Sequence, residues 1–212
     1  LRLLSISLAA LLCAMRCGAA ADLPSLKGAG VVDHDFGGAY AGLHVGGDWG
    51  GLVMASPSSS LAVGTDAVSG GVHLGYNAMF GHVVAGVETE IDGSSASKKF
   101  VFGGLPAAFS QNWFGSVDAR LGWASGCAMV YGLAGYAWSV LEGRLGPADV
   151  SAVRNGYVVG GGLDYAFTER LSWRAEYRYY EFGSAAFAPP ATARIADNVV
   201  RAGLTYRFSG AF

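Results

Sequence analysis

The sequence predicts an all-β protein, an eight-stranded antiparallel up-and-down transmembrane β-barrel. Three observations predict it. Segments of alternating apolar and polar residues recur along the chain, separated by Gly, Ser, Pro and Asp clusters. The composition suits a water-facing surface poorly, with 52% hydrophobic and 14% charged residues against ~25% charged in soluble domains. Only Lys27, Lys98 and Lys99 stand against eleven arginines; Lys normally solubilises exposed faces, whereas Arg suits enclosed ion pairs.

The N-terminus comes first. Arg2, an apolar run from Leu3 to Ala14 and the small residues of "CGAAADLP" read as a secretory signal over residues 1–21. Residues 22–37 then form a periplasmic N-terminal segment and residues 38–212 the barrel domain. Cys13 and Cys17 fall in the signal, which leaves Cys127 without a disulfide partner after export. Loss of Arg2 and Arg16 leaves 12 basic residues against 16 acidic ones, without the basic stripe that nucleic-acid binding needs. No later stretch approaches the ~20 apolar residues of a membrane helix, so an exported membrane protein of this sequence must cross by strands closed into a barrel.

Eight strands follow in order: 38–50, 68–78, 82–92, 111–124, 127–140, 154–167, 170–182 and 197–208. The connections alternate in length, long at 51–67, 93–110 and 183–196, medium at 141–153, and tight at 79–81, 125–126 and 168–169. That is the layout of a barrel with long loops on one rim and short turns on the other.

Parity sorts the faces. On one side fall His44, Asp48, His73, His82, Glu88, Glu90, Asp118, Arg120, Arg154, Asp164, Arg174, Glu176, Arg178, Arg201 and Arg207. The other carries Leu43, Val45, Trp49, Val72, Leu74, Tyr76, Val87, Ile91, Val117, Leu121, Trp123, Trp173, Tyr177, Val200, Leu204, Tyr206 and Phe208. Strand five has no clear parity. Alternation alone also fits a soluble barrel with the faces exchanged. Export, the scarcity of Lys on strands and the aromatics bunched at strand ends (Trp49, Trp113, Trp138, Tyr165, Phe167, Trp173, Phe208) favour the membrane. There the charged face must be luminal, because Arg at the lipid midplane costs ~2–4 kcal/mol.

The segments "GGVHLGYNAMFGHVVAGVETEIDGS", "VDARLGWASGCAMVYGLAGYAWS", "GYVVGGGLDYAFTERLSWRAEYRYYEFG" and "NVVRAGLTYRFSGAF" resemble the small outer-membrane β-barrel family of alphaproteobacteria. Its members are labelled outer-membrane immunogenic or porin-family proteins, distantly similar to the OmpA-like transmembrane domain. The resemblance implies an abundant protein of the bacterial outer membrane, in most members without a defined biochemical activity. It also implies that Tyr206, Phe208 and Phe212 form a C-terminal insertion signal read by the barrel-insertion machinery.

Candidate chemistry is sparse. Glu88, Glu90, Asp118, Asp164 and Glu176 balance Arg120, Arg174, Arg178, Arg201 and Arg207 on the inward parity, and buried charges need partners whether or not chemistry occurs. An eight-stranded barrel has an interior only wide enough for side chains to fill. A luminal ion-pair network in a closed barrel is therefore expected, with a structural or surface-interaction role. A small porin and a haem- or ligand-binding barrel are the alternatives. His44 and Asp48 could suggest a hydrolase pair, but no GxSxG, HExxH or Cys/His metal spacing accompanies them. The expectation is a protein that is not an enzyme and has no catalytic, cofactor or metal residues. Expected partners are outer-membrane lipid, lipopolysaccharide and surface molecules meeting loops 51–67, 93–110, 141–153 and 183–196.

Overall fold

The computed structural model describes residues 34–208 except 57–58, 103–104, 146–147 and 189–190. Its strands are β1 (Gly38–Ser56), β2 (Ser59–Phe80), β3 (Val83–Phe102), β4 (Leu105–Ser125), β5 (Ala128–Leu145), β6 (Ala148–Ala166), β7 (Leu171–Ala188) and β8 (Ala191–Arg207). Each pairs antiparallel with its sequence neighbours, and β1 pairs with β8, as in Leu43 opposite Leu204, which closes the barrel. All eight expected strands are present. Their ends on the short-turn rim fall where the sequence puts them, because tight turns fix them. Phe80 pairs with Val83 around Gly81 (φ 63°), and Ser125 pairs with Ala128 around Gly126 (φ 59°); positive φ is what two-residue hairpin turns demand.

The opposite ends correct the sequence reading. Segments 51–67, 93–110, 141–153 and 183–196 are not long loops, since the strands run on through most of them. β1 and β2 stay paired as far as Ser56 and Ser59, and β3 and β4 as far as Phe102 and Leu105. Strand β2, at 22 residues, is about twice the ~9–11 residues a crossing needs. A hairpin standing in water keeps its backbone ladder without an apolar outer face, so the amphipathic signal stops before the strand does.

The outer face shows where lipid ends. On β4 the exposed residues Trp113, Val117, Leu121 and Trp123 form one apolar row. At ~3.3 Å per residue and a tilt of ~40°, the interval from Trp113 to Trp123 rises about 25 Å, the height of a transmembrane band. Beyond it on β3 the exposed side chains are Ser95, Ser97 and Lys99. Trp49 and Trp113 mark the upper edge of the band and Trp123, Phe167 and Phe208 the lower, all exposed. Tyr177 Oη donates to Asn198 Oδ1 at 2.7 Å, and Asn198 Nδ2 donates to the Trp49 carbonyl at 3.2 Å, a polar seam at the upper edge.

Strand β5 lacks parity in sequence because both of its faces are apolar. Met129, Tyr131, Leu133, Ala137 and Leu141 are buried inside, while Val130 and Tyr136 face out. Residues 34–37, the end of the expected periplasmic N-terminal segment, turn into the lower mouth, where Phe36 is fully buried. Cys13 and Cys17 of the expected signal lie outside the described residues. Phe212 of the expected insertion signal lies outside them too, while Tyr206 and Phe208 are exposed on the outer face, their rings edge to face at 5.4 Å.

Candidate functional site: a charged lumen

The inward positions of β3, β4, β6, β7 and β8 converge at mid-height. Arg178 is the hub. Its guanidinium pairs with Glu88 at 2.8 Å, Glu90 at 2.9 Å, Asp118 at 2.5 Å and Glu176 at 2.5 Å, and it has no solvent exposure. Glu88 also accepts from Arg120 at 2.9 Å, Arg174 at 2.7 Å and the Tyr40 hydroxyl at 2.8 Å. Arg174 and Arg120 share Asp164, at 2.9 Å and 3.2 Å. Arg201 joins Glu176 at 2.6 Å and also contacts Glu90.

Tyrosines complete the carboxylate shells. Tyr131 donates to Glu176 at 2.6 Å and Tyr180 to Glu90 at 2.5 Å, while the Arg120 guanidinium lies 3.9 Å from the centre of the Tyr131 ring. Inward glycines make room for these groups. A Cβ on Gly75 would stand 2.3 Å from the Tyr40 hydroxyl, and one on Gly42 would stand 2.5 Å from the His73 ring.

Nine of the ten residues expected in the network thus meet there, and Arg207 does not. It is buried at the lower rim, where it donates to His34 Nε2 at 2.6 Å with its guanidinium 4.9 Å from the Phe36 ring centre. Parity gives a residue its face but not its height, and Arg207 ends β8. In its place the network gains Asp92, 3.8 Å from Arg201 and 2.5 Å from His44 Nε2. Among the described residues, four guanidiniums (Arg120, Arg174, Arg178, Arg201) therefore face six carboxylates (Glu88, Glu90, Asp92, Asp118, Asp164, Glu176). The sequence suggested five against five.

The histidines divide. His44 pairs with Asp92 rather than with Asp48, which stands four residues further along β1 and accepts from Ser69 Oγ at 2.6 Å. His44 and His73 stack at 5.5 Å with their Nδ1 atoms 3.2 Å apart, and His73 Nε2 reaches Thr205 Oγ1 at 3.0 Å. With His44 donating to Asp92, His73 donates to His44 and Thr205 to His73, and Arg201 Nη1, 3.1 Å from the same His44 Nε2, is a contact rather than a hydrogen bond. His82 is not luminal. It is exposed in the turn after β2 and stacks on Trp123 at 5.3 Å, since the Phe80–Val83 pair leaves it outside the ladder. Arg154 is half-buried on β6 towards the far rim.

Among the described residues, two clusters have spacings at which a cation could sit, His44 with Glu90 and Asp92, and Glu88 with Glu90 and Asp118. Arg201 and Arg178 already provide the positive charge in each. Above the network Phe114 packs edge-on to Tyr180 at 5.3 Å and Phe182 stacks on Tyr180 at 5.9 Å. The cavity there, between Asp48, Gln111 and Asp197, measures about 10 Å³, room for one water molecule.

A closed barrel with a lipid-facing apolar band and an ion-paired interior is an integral protein of the bacterial outer membrane. The chain belongs to the outer membrane protein beta-barrel domain family, whose model matches residues 6–208. It is 32% identical over 169 residues to the 31 kDa outer-membrane immunogenic protein of Brucella melitensis, covering 71% of this chain and 70% of that one. It is 30% identical over 178 residues to the 25 kDa outer-membrane immunogenic protein of Brucella abortus, covering 82% and 80%. Among solved structures it resembles the outer membrane protease OmpT of Escherichia coli with a TM-score of 0.52 and 9% identity, covering 80% of this chain and 96% of that one. That likeness concerns the fold.

Proposed function

We propose that the protein is a structural and surface-presenting barrel without enzymatic activity, and that its charged lumen is a rigid plug rather than an active site or an open channel. The observation that carries this reading is the Arg178 hub, whose four carboxylate partners come from three strands and fill the lumen at mid-height. Charges committed to one another at 2.5–2.9 Å hold geometry, and moving any one strands its partners. Partners in this reading are outer-membrane lipid and lipopolysaccharide around the apolar band, the insertion machinery acting on the last strand, and surface molecules meeting the protruding hairpins.

Planar-bilayer recording of the purified protein tests it. Brief, small openings or none support the plug. Steady conductance with solute flux would replace it by a small porin, and turnover of a lipid or peptide substrate lost on His44→Ala would replace it by an enzyme.

A further inference from the structure

The chain enters the barrel by a route that strand pairing does not require. Before β1, residues 34–37 fold back into the short-turn mouth, and Phe36 is 0% exposed there. The Phe36 carbonyl accepts from Asn77 Nδ2 at 3.1 Å, and the Phe36 ring meets the His34 ring edge-on at 4.8 Å. The His34 amide donates to the Gly126 carbonyl in the β4–β5 turn at 2.9 Å. Asp35 Oδ1 accepts from the Gly37 amide at 2.8 Å, a local turn that folds the segment back. Gly38 then holds φ at 96°, a conformation that L side chains rarely adopt.

We propose that residues 34–37 are a detachable stopper for this mouth, held by an acid-labile latch between His34 and Arg207. Arg207 Nη1 donates to His34 Nε2 at 2.6 Å. A guanidinium has no acceptor, so the contact exists only while that nitrogen carries a lone pair. Protonation removes the acceptor and sets two cations against each other. Burial, and after it the Arg207 charge, holds the His34 pKa below its ordinary 6.5, while Asp35 on the segment and Glu169 in the β6–β7 turn act the other way. Around Arg207 stand Asp164 of β6, Arg120 of β4 and Tyr40 of β1; β2 presents the neutral Asn77 and the β4–β5 turn a backbone carbonyl.

A docked histidine with a lowered pKa binds its proton less readily than a released one. Docking is therefore intact above pH ~6.5 and weakens as pH falls below it. Between pH 7.5 and pH 5 the weakening can reach at most ~30-fold, the limit in which only the released form takes up the proton.

Hydrogen–deuterium exchange of the full chain in detergent, read at the amides of residues 34–37 and normalised to intrinsic rates, tests the latch. The expected result is protection at pH 7.5 that falls several-fold to ~30-fold at pH 5 while the β1 amides stay protected. His34→Gln should keep protection and lose the pH response. Glu169→Gln, on an exposed turn, should steepen the response by removing a carboxylate that favours the cation. Phe36→Ala should lose protection at both pH values in a barrel that still shows heat-modifiable migration. Equal protection of the wild type at both pH values, or an unchanged response in His34→Gln, overturns the latch; amides unprotected at both values overturn the stopper. If His34→Gln does not assemble, the wild type and Glu169→Gln decide.

Discussion

Replacing Arg178 by Met should be the most damaging single change in the lumen, and the structure indicates how damaging. The four partners do not suffer equally. Glu88 keeps Arg120 and Arg174, Glu176 keeps Arg201 and Tyr131, and Glu90 keeps Arg201 and Tyr180. Asp118 is left with Ser116 Oγ at 3.0 Å. Loss of one partner from a buried pair costs ~3–5 kcal/mol, and the loss here concentrates on Asp118. With a urea slope of ~2 kcal/mol per molar, the unfolding midpoint in vesicles should fall by about 2 M. The double variant Arg178→Met with Asp118→Asn, which removes the stranded charge, should recover a large part of that fall. A midpoint shift below ~0.5 M, equivalent to ~1 kcal/mol, or no recovery in the double variant, would refute the account of the lumen as a network whose members depend on one another.

Three further outcomes are expected. Val117→Arg, in the middle of the lipid band, should destabilise the barrel by ~2–4 kcal/mol, whereas Trp173→Arg, near the lower edge, should cost ~0–1 kcal/mol; equal costs in a folding titration would contradict the depth assignment. Spin labels at 173 and 174 should differ strongly in oxygen accessibility, since Trp173 is 41% exposed and Arg174 1%; similar values would remove the facing assignment. Replacing residues 53–62 by a two-residue turn should leave heat-modifiable migration and β-type circular dichroism unchanged, because the shortened hairpin lies above the band; loss of folding would show that the protruding ladder supports the barrel.

What the sequence disclosed follows from which physical signal each feature carries. Lipid on one side and charge on the other write a period of two into a strand, and seven strands could be read for their facing by that alone. β5 could not, because Met129, Tyr131 and Leu133 put apolar groups inside as well. The hairpin extensions were illegible for the same reason reversed, since Ser95, Ser97 and Lys99 leave a strand with water outside and no contrast. Within the site, parity supplied nine members and failed at Arg207 and His82, both at strand ends, where height or a turn decides the environment. Tyr40, Asp92 and Tyr180 share the parity of His44, Glu90 and Arg178, so a stricter reading of alternation would have found them. Tyr131 had no such neighbour, and its hydrogen bond to Glu176 and its packing against Arg120 reveal its role only in the structure.

The wiring of the Arg178 hub also orders assembly. Its bond to Glu88 joins positions 90 residues apart, the bond of Arg201 to Glu90 spans 111, and the contact of Arg201 with His44 reaches across the β1–β8 seam over 157. None of these can form while the sheet is open. A nascent, unclosed sheet must keep its arginines and carboxylates hydrated, because their eventual partners lie on strands not yet adjacent and bare charge is costly in hydrocarbon. The seam between the first and last strands is then the point at which water leaves and the charges neutralise one another, so closure and core formation become one event. A sheet that inserts without closing gains nothing from its lumen, and a partly assembled barrel has little to hold it together.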